Sequence, residues 1–126
     1  MSTPQGEITI QTLAMPKDTN ANGDIFGGWL VSQMDLSAGM IAKKRARGRV
    51  ATVAIESMSF LKPVHVGDIV TCHAMLKKVG RTSMTIAVEA WAEPATGGER
   101  FMVTSGVFIF VAIDDAGNPR EVPVSA

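Results

Sequence analysis

The residues able to do chemistry gather around the start and middle of one apolar-periodic segment. Asp35, in Gln33-Met34-Asp35-Leu36, stands on the line Val31, Asp35, Ala38, Gly39 and Ala42, among small apolar companions. An ionised carboxylate in such surroundings is costly unless it is paired or faces a wet cleft. It serves structure there if it caps a backbone group or pairs with a base of a neighbouring subunit, and chemistry if it faces a substrate. Two neighbours favour chemistry. Gly27-Gly28 falls where the helix must begin, and a helix N-terminus carries unpaired N–H groups, here unshielded by side chains, that stabilise negative oxygen. Asn20 and Asn22 supply polar amides just upstream. A carboxylate with exposed N–H donors one or two turns away resembles hydrolytic equipment, a base plus an oxyanion site. At neutral pH an aspartate is ionised, which suits a base or nucleophile and not an acid.

The charges add a second clue. Twelve Lys and Arg balance twelve Asp and Glu over 126 residues, so no global field draws the chain to nucleic acid. The balance conceals a partition. Residues 1–35 carry net −3, residues 36–88 net +7 and residues 89–126 net −4. Lys43–Arg49 alone reads as the solvated C-terminal turn of a helix, where cations meet the helix dipole favourably. Lys62 and Arg81 sit beside turn residues rather than in a run and suit a phosphorylated small molecule. With aromatics at 6% and no basic–aromatic interleaving, a nucleic-acid partner is not expected.

Other chemistries find little support. The lone cysteine, Cys72, permits no internal disulfide and fits a reducing compartment. Cys72 and His73 are adjacent in a strand and point to opposite faces, and no Cys/His spacing suggests zinc, so no metal is expected. His65, in Pro63-Val-His-Val-Gly67, reads as a turn residue. There is no Gly-x-Ser-x-Gly elbow, and Gly23–Gly28 lacks the spacing and the βαβ setting of a dinucleotide fingerprint. The eight methionines are core filler, with Met34, Met58 and Met84 as candidates to line an adaptable pocket. No apolar run approaches the ~20 residues of a membrane span, and the first ten residues lack a cationic stretch leading into an apolar one. A cytoplasmic location is expected.

The elements that must position these residues follow from periodicity. Glu7–Ala14 alternates as a strand, Pro16 ends it, and Lys17–Asp24 has loop chemistry. A helix is predicted from about Gly27 to Arg45, with Leu30, Met34, Ala38 and Ile41 three or four apart, a cationic last turn and Gly48 as the stop. The period then becomes two. Arg49–Lys62, Asp68–Val79, Thr82–Glu93 and Arg100–Ile113 read as strands joined by short turns at Pro63–Gly67, Gly80–Arg81 and Pro94–Gly98, which makes them mostly antiparallel. Residues 114–126 are expected to be irregular. The length suits one domain over 1–126 of α+β class: one helix of ~27 Å filling the concave face of a five-stranded antiparallel sheet. Nothing remains to cover sheet edges, so self-association is expected.

At these residues the chain resembles a known family. Asn20-Ala-Asn-Gly-Asp-Ile-Phe-Gly-Gly-Trp-Leu-Val-Ser-Gln-Met-Asp35, Met58-Ser-Phe-Leu-Lys-Pro-Val-His-Val-Gly-Asp68 and Gly80-Arg-Thr-Ser83 are similar, with matching spacing, to the YciA-type acyl-CoA thioesterases of the hotdog-fold superfamily. The resemblance implies a sheet wrapped around one long central helix, as read above. It implies hydrolysis of acyl-CoA to a free acid and CoA, no cofactor beyond the CoA of the substrate, and sites between subunits of dimers that assemble as a trimer of dimers. Asp35 maps onto the family aspartate, as general base or as nucleophile through an anhydride. Asn20 maps onto an asparagine contributed by the opposite subunit, and Gly28 onto the donor that polarises the thioester oxygen. Gly27 then permits close approach of substrate, and Lys62 with Gly80, Arg81, Thr82 and Ser83 would contact CoA. Two rivals share the fold. A hydratase or dehydratase would want a histidine near the helix, where neither His65 nor His73 falls. A non-catalytic acyl-CoA sensor would have no use for a mid-helix carboxylate.

Overall fold

The helix is built to lie close to a sheet. In the computed structural model, which describes residues 3–124, α1 spans Gly27–Ala46. Its buried face is Leu30, Met34, Ser37, Ala38, Ala42 and Ala46, and these mostly small side chains let the axis approach the strands. Met1, Ser2, Ser125 and Ala126, the ends of the expected domain and tail, lie outside the described residues. The helix stops differently from the expectation. Arg47, not Gly48, takes the left-handed conformation (φ 55°), its N–H donating to Lys43 O. Gly48 is small for another reason: a Cβ there would meet the Arg120 guanidinium at 2.8 Å.

Around α1 curve β1 (Glu7–Leu13), β2 (Val50–Phe60), β3 (Ile69–Val79), β4 (Ser83–Glu93) and β5 (Phe101–Ala112). They form one sheet, every pairing antiparallel, in the order β1-β3-β4-β5-β2. The α+β hotdog architecture expected from sequence is therefore present, with strand bounds within two residues of those read from periodicity. Ile86, Val88, Ala90 and Ala92 of β4 are all buried as the alternation requires. Strand order holds a correction. Pro63–Gly67 is not a hairpin turn, because β2 pairs with β5 and not with β3. The segment between them passes from one edge of the sheet to the opposite half, with Val64 buried and its carbonyl accepting from Ile25 N–H at 3.1 Å.

Both edges are exposed in the protomer. Val53 and Ile55 on β2, with Leu36 and Met40 on the adjoining flank of α1, form an exposed apolar surface. An open edge strand with apolar neighbours invites pairing with another chain. Met34 and Met84 are fully buried in the core, and Met58 packs on Gly106, where a Cβ would lie 2.8 Å from its Cε. The first two are core packing rather than pocket lining.

Candidate active site

Asp35 lies at the edge of the helix face that meets β2. It is half-buried, and its Oδ1 accepts a hydrogen bond from Thr52 Oγ1 at 2.6 Å. No cation lies within ion-pair distance of it among the described residues. A cleft of about 350 Å³ opens onto it, lined by Leu36, Gly39, Met40, Lys43, Val50, Thr52 and Phe110. The carboxylate is thus neither sealed off nor neutralised. Thr52 went unnoticed in the sequence; its signal was a polar residue between the apolar Ala51 and Val53 on a strand that borders the helix.

The helix start has the donors expected of it. Phe26 is the N-cap and its side chain makes no capping bond. Trp29 N–H reaches Phe26 O at 3.0 Å, whereas Gly27 and Gly28 N–H find no acceptor among the described residues. A Cβ on Gly28 would strike the exposed Phe26 ring at 2.4 Å, and one on Gly27 would touch Phe60 at 3.6 Å. Gly27 also borders an apolar cleft of about 290 Å³ with Ile25, Leu30, Phe60, Leu61 and Lys62. Seven residues separate Gly28 from Asp35, which is two helical turns, about 10 Å along the axis and nearly the same face.

Asn20 is exposed in the loop before α1. Its Oδ1 accepts from Asn22 N–H (2.9 Å) and Asp24 N–H (3.2 Å), and its side-chain NH₂ has no partner among the described residues. It makes no bond to Asp35 of its own chain.

The proposed CoA-contacting residues are not brought together within one protomer. Gly80 to Ser83 close the β3–β4 hairpin, Gly80 N–H donating to Ser83 O at 2.7 Å, and a Cβ on Gly80 would lie 2.8 Å from Ser83 Oγ. Ser83 stands opposite Val111, which stands opposite Ala51, so this turn is two strands, about 10 Å, from Thr52. Lys62 lies beside Val103 at the other end of β5, its Nζ 5.5 Å from the Phe101 ring centroid. Eight residues of strand between Val103 and Val111 put Lys62 about 27 Å from the Arg81 turn. His65 is a turn residue as expected, its N–H bonded to Asp68 Oδ2. Among the described residues no group of three His, Cys, Asp or Glu is placed to hold a metal ion.

Comparison with known proteins decides the family. Residues 22–99 match the thioesterase superfamily. The acyl-CoA thioester hydrolase YciA of Salmonella typhimurium is 53% identical over 98% of this chain and 95% of its own. The chain belongs to the YciA-type acyl-CoA thioester hydrolases. Within that family, a hexameric thioesterase from Yersinia pestis superposes with a TM-score of 0.94 at 54% identity, covering 98% of this chain and 100% of its own. A hexameric broad-specificity acyl-coenzyme A thioesterase, solved as an aspartate-to-alanine variant, gives 0.93 at 52% identity over 96% and 89%. Membership accounts for the elements that carry Asp35 and the glycine pair being held in a hotdog frame.

Proposed function

We propose that this chain hydrolyses acyl-CoA thioesters to free acid and CoA. The observation that carries the reading is the half-buried Asp35 carboxylate, held by Thr52 and open to a cleft, two turns along nearly the same helix face from Gly28, whose N–H is unpaired among the described residues. An amide donor, a thioester carbonyl, an attacking water and a carboxylate laid end to end span roughly 10 Å. That matches the two turns between Gly28 and Asp35. Gly28 N–H then polarises the thioester oxygen and Asp35 takes the proton of the water, or attacks the carbonyl itself. Gly27 keeps the approach clear beside Phe60.

Arg81, with Gly80, Thr82 and Ser83, holds the phosphates of CoA at the end of the sheet nearer Thr52, while Lys62 lies about 27 Å away. One nucleotide does not reach both, so Lys62 serves a site together with the turn of another subunit. Asn20, with its amide NH₂ free, is offered to a neighbouring subunit's Asp35. Both assignments call for self-association through the β2 edge and the Leu36–Met40 flank, with a trimer of dimers as the assembly, in keeping with the hexameric relatives. No cofactor other than the CoA of the substrate takes part, and no nucleic acid or membrane span is involved. Among the described residues no helix is long and apolar enough to cross a membrane; a cytoplasmic location rests on the sequence expectation.

A panel of acyl-CoA chain lengths, assayed for released thiol, tests the reading. Turnover of at least part of the panel supports it, and tight binding without thiol release would favour a sensor.

A further inference from the structure

The C-terminal segment after β5 has no regular structure, yet it is tied down at several points. Arg120 N–H donates to Ala112 O at 2.9 Å and Val122 N–H to Arg81 O at 2.8 Å. The Arg120 guanidinium reaches Ala46 O at 3.0 Å, capping the end of α1, and Arg45 holds Pro123 O at 2.6 Å. This strap therefore joins the helix C-terminus to the β3–β4 turn. It fixes the backbone of residue 121, and Glu121 Oε1 then lies 3.7 Å from Arg81 Nη1 with both side chains largely in solvent. Arg45 and Arg49 reach the strap at Pro123 O and Asp115 O, and Lys78 stands opposite Thr85 in the β3–β4 hairpin, while Asp114 and Asp115 belong to the strap itself. Of these groups, Glu121 is the carboxylate within ion-pair distance of Arg81 among the described residues.

We propose that Glu121 is the resident counter-ion of Arg81, a carboxylate that nucleotide phosphate must displace, so that the C-terminal strap sets the affinity for the CoA part of the substrate. This rests on the reading that Arg81 contacts those phosphates. A phosphate oxygen and the Glu121 carboxylate compete for the same guanidinium fork, and a nearby negative charge also repels the polyanion directly. Removing the charge while keeping the shape should tighten binding, and by the modest amount an exposed pair is worth.

The test is calorimetric titration of the full-length protein with coenzyme A, comparing the parent, Glu121→Gln, Arg81→Ala and the double variant. Glu121→Gln is expected to lower the Kd about two- to five-fold at low salt, with the gain shrinking as ionic strength rises. The gain is expected to vanish in the Arg81→Ala background. KM for an acyl-CoA should fall in parallel, whereas KM for a truncated thioester lacking the nucleotide should not follow. Unchanged or weaker binding by Glu121→Gln, in a protein where Arg81→Ala does weaken binding, overturns the counter-ion role alone. The same gain with and without Arg81 overturns it too, by showing a general field rather than displacement. Unaltered coenzyme A binding by Arg81→Ala refutes the phosphate contact itself, and with it this inference.

Discussion

Thr52→Val removes the hydroxyl that holds Asp35 while nearly preserving the side chain's volume. The bond it deletes is 2.6 Å long with a carboxylate acceptor, and hydrogen bonds to charged groups contribute about 1.5–3 kcal/mol net. Thr52 is exposed in the protomer, so water replaces part of the bond and the lower end applies. About 1.4 kcal/mol is tenfold in rate. On the proposed role of Asp35, the expected outcome is a kcat about tenfold lower with KM within about twofold, because Thr52 holds Asp35 and stands about 10 Å from the Arg81 turn. Thiol release at saturating acyl-CoA measures it, with thermal unfolding as a check that an exposed β2 position costs little stability. Thr52→Ser, which keeps the donor, should recover most of the rate. A Thr52→Val enzyme within twofold of the parent kcat, or a Thr52→Ser enzyme damaged as badly, would refute the positioning role.

Three further outcomes are expected. Arg81→Ala should raise KM for CoA esters about tenfold, the loss of one charged hydrogen bond, and raise it far less for a thioester without the nucleotide; equal effects on both would remove Arg81 from phosphate recognition. Light scattering should find no 13.4 kDa monomer at assay concentrations, and a stable, fully active monomer would contradict a site shared between subunits. Burial pushes the Cys72 thiol up to about 12 from 9.0, so the native protein should resist thiol reagents at pH 8 until it is unfolded. The folded state then holds that proton more tightly than the unfolded state, so Cys72's contribution to stability is present below about pH 9 and lost as pH rises toward 12. Cys72→Ala should flatten that alkaline decline; an unchanged slope would sink the assignment.

The parts of the structure that were legible in the sequence are the local ones. Spacing of three and four placed α1, alternation placed each strand, and a carboxylate among small apolar residues marked Asp35, because each signal lies within one element. What escaped depends on contacts between elements. Pro63–Gly67 has the composition of a hairpin turn, and only the pairing of β2 with β5 shows that it crosses the sheet instead. Lys62 precedes β3 and Arg81 follows it, so the 11 residues of that strand hold the two at opposite ends of the sheet, which charge counting does not show. Gly48 looked like the helix stop, but the left-handed residue is Arg47, held by its own N–H bond to Lys43 O and followed by the close approach of Arg120. Thr52 needed a partner on another element to be noticed. The tail is irregular, as its Gly and Pro residues suggested, yet it is tied to Arg45, Ala46 and Arg81, far away in sequence.

The most direct measurement is the single-turnover rate of Asp35→Asn, an isosteric change that removes the basic and nucleophilic oxygen, with coenzyme A affinity measured on the same sample. A loss of at least ~10²-fold in hydrolysis with coenzyme A binding retained is the predicted result. Hydrolysis near the parent rate would contradict it and leave the helix carboxylate without a part in the reaction.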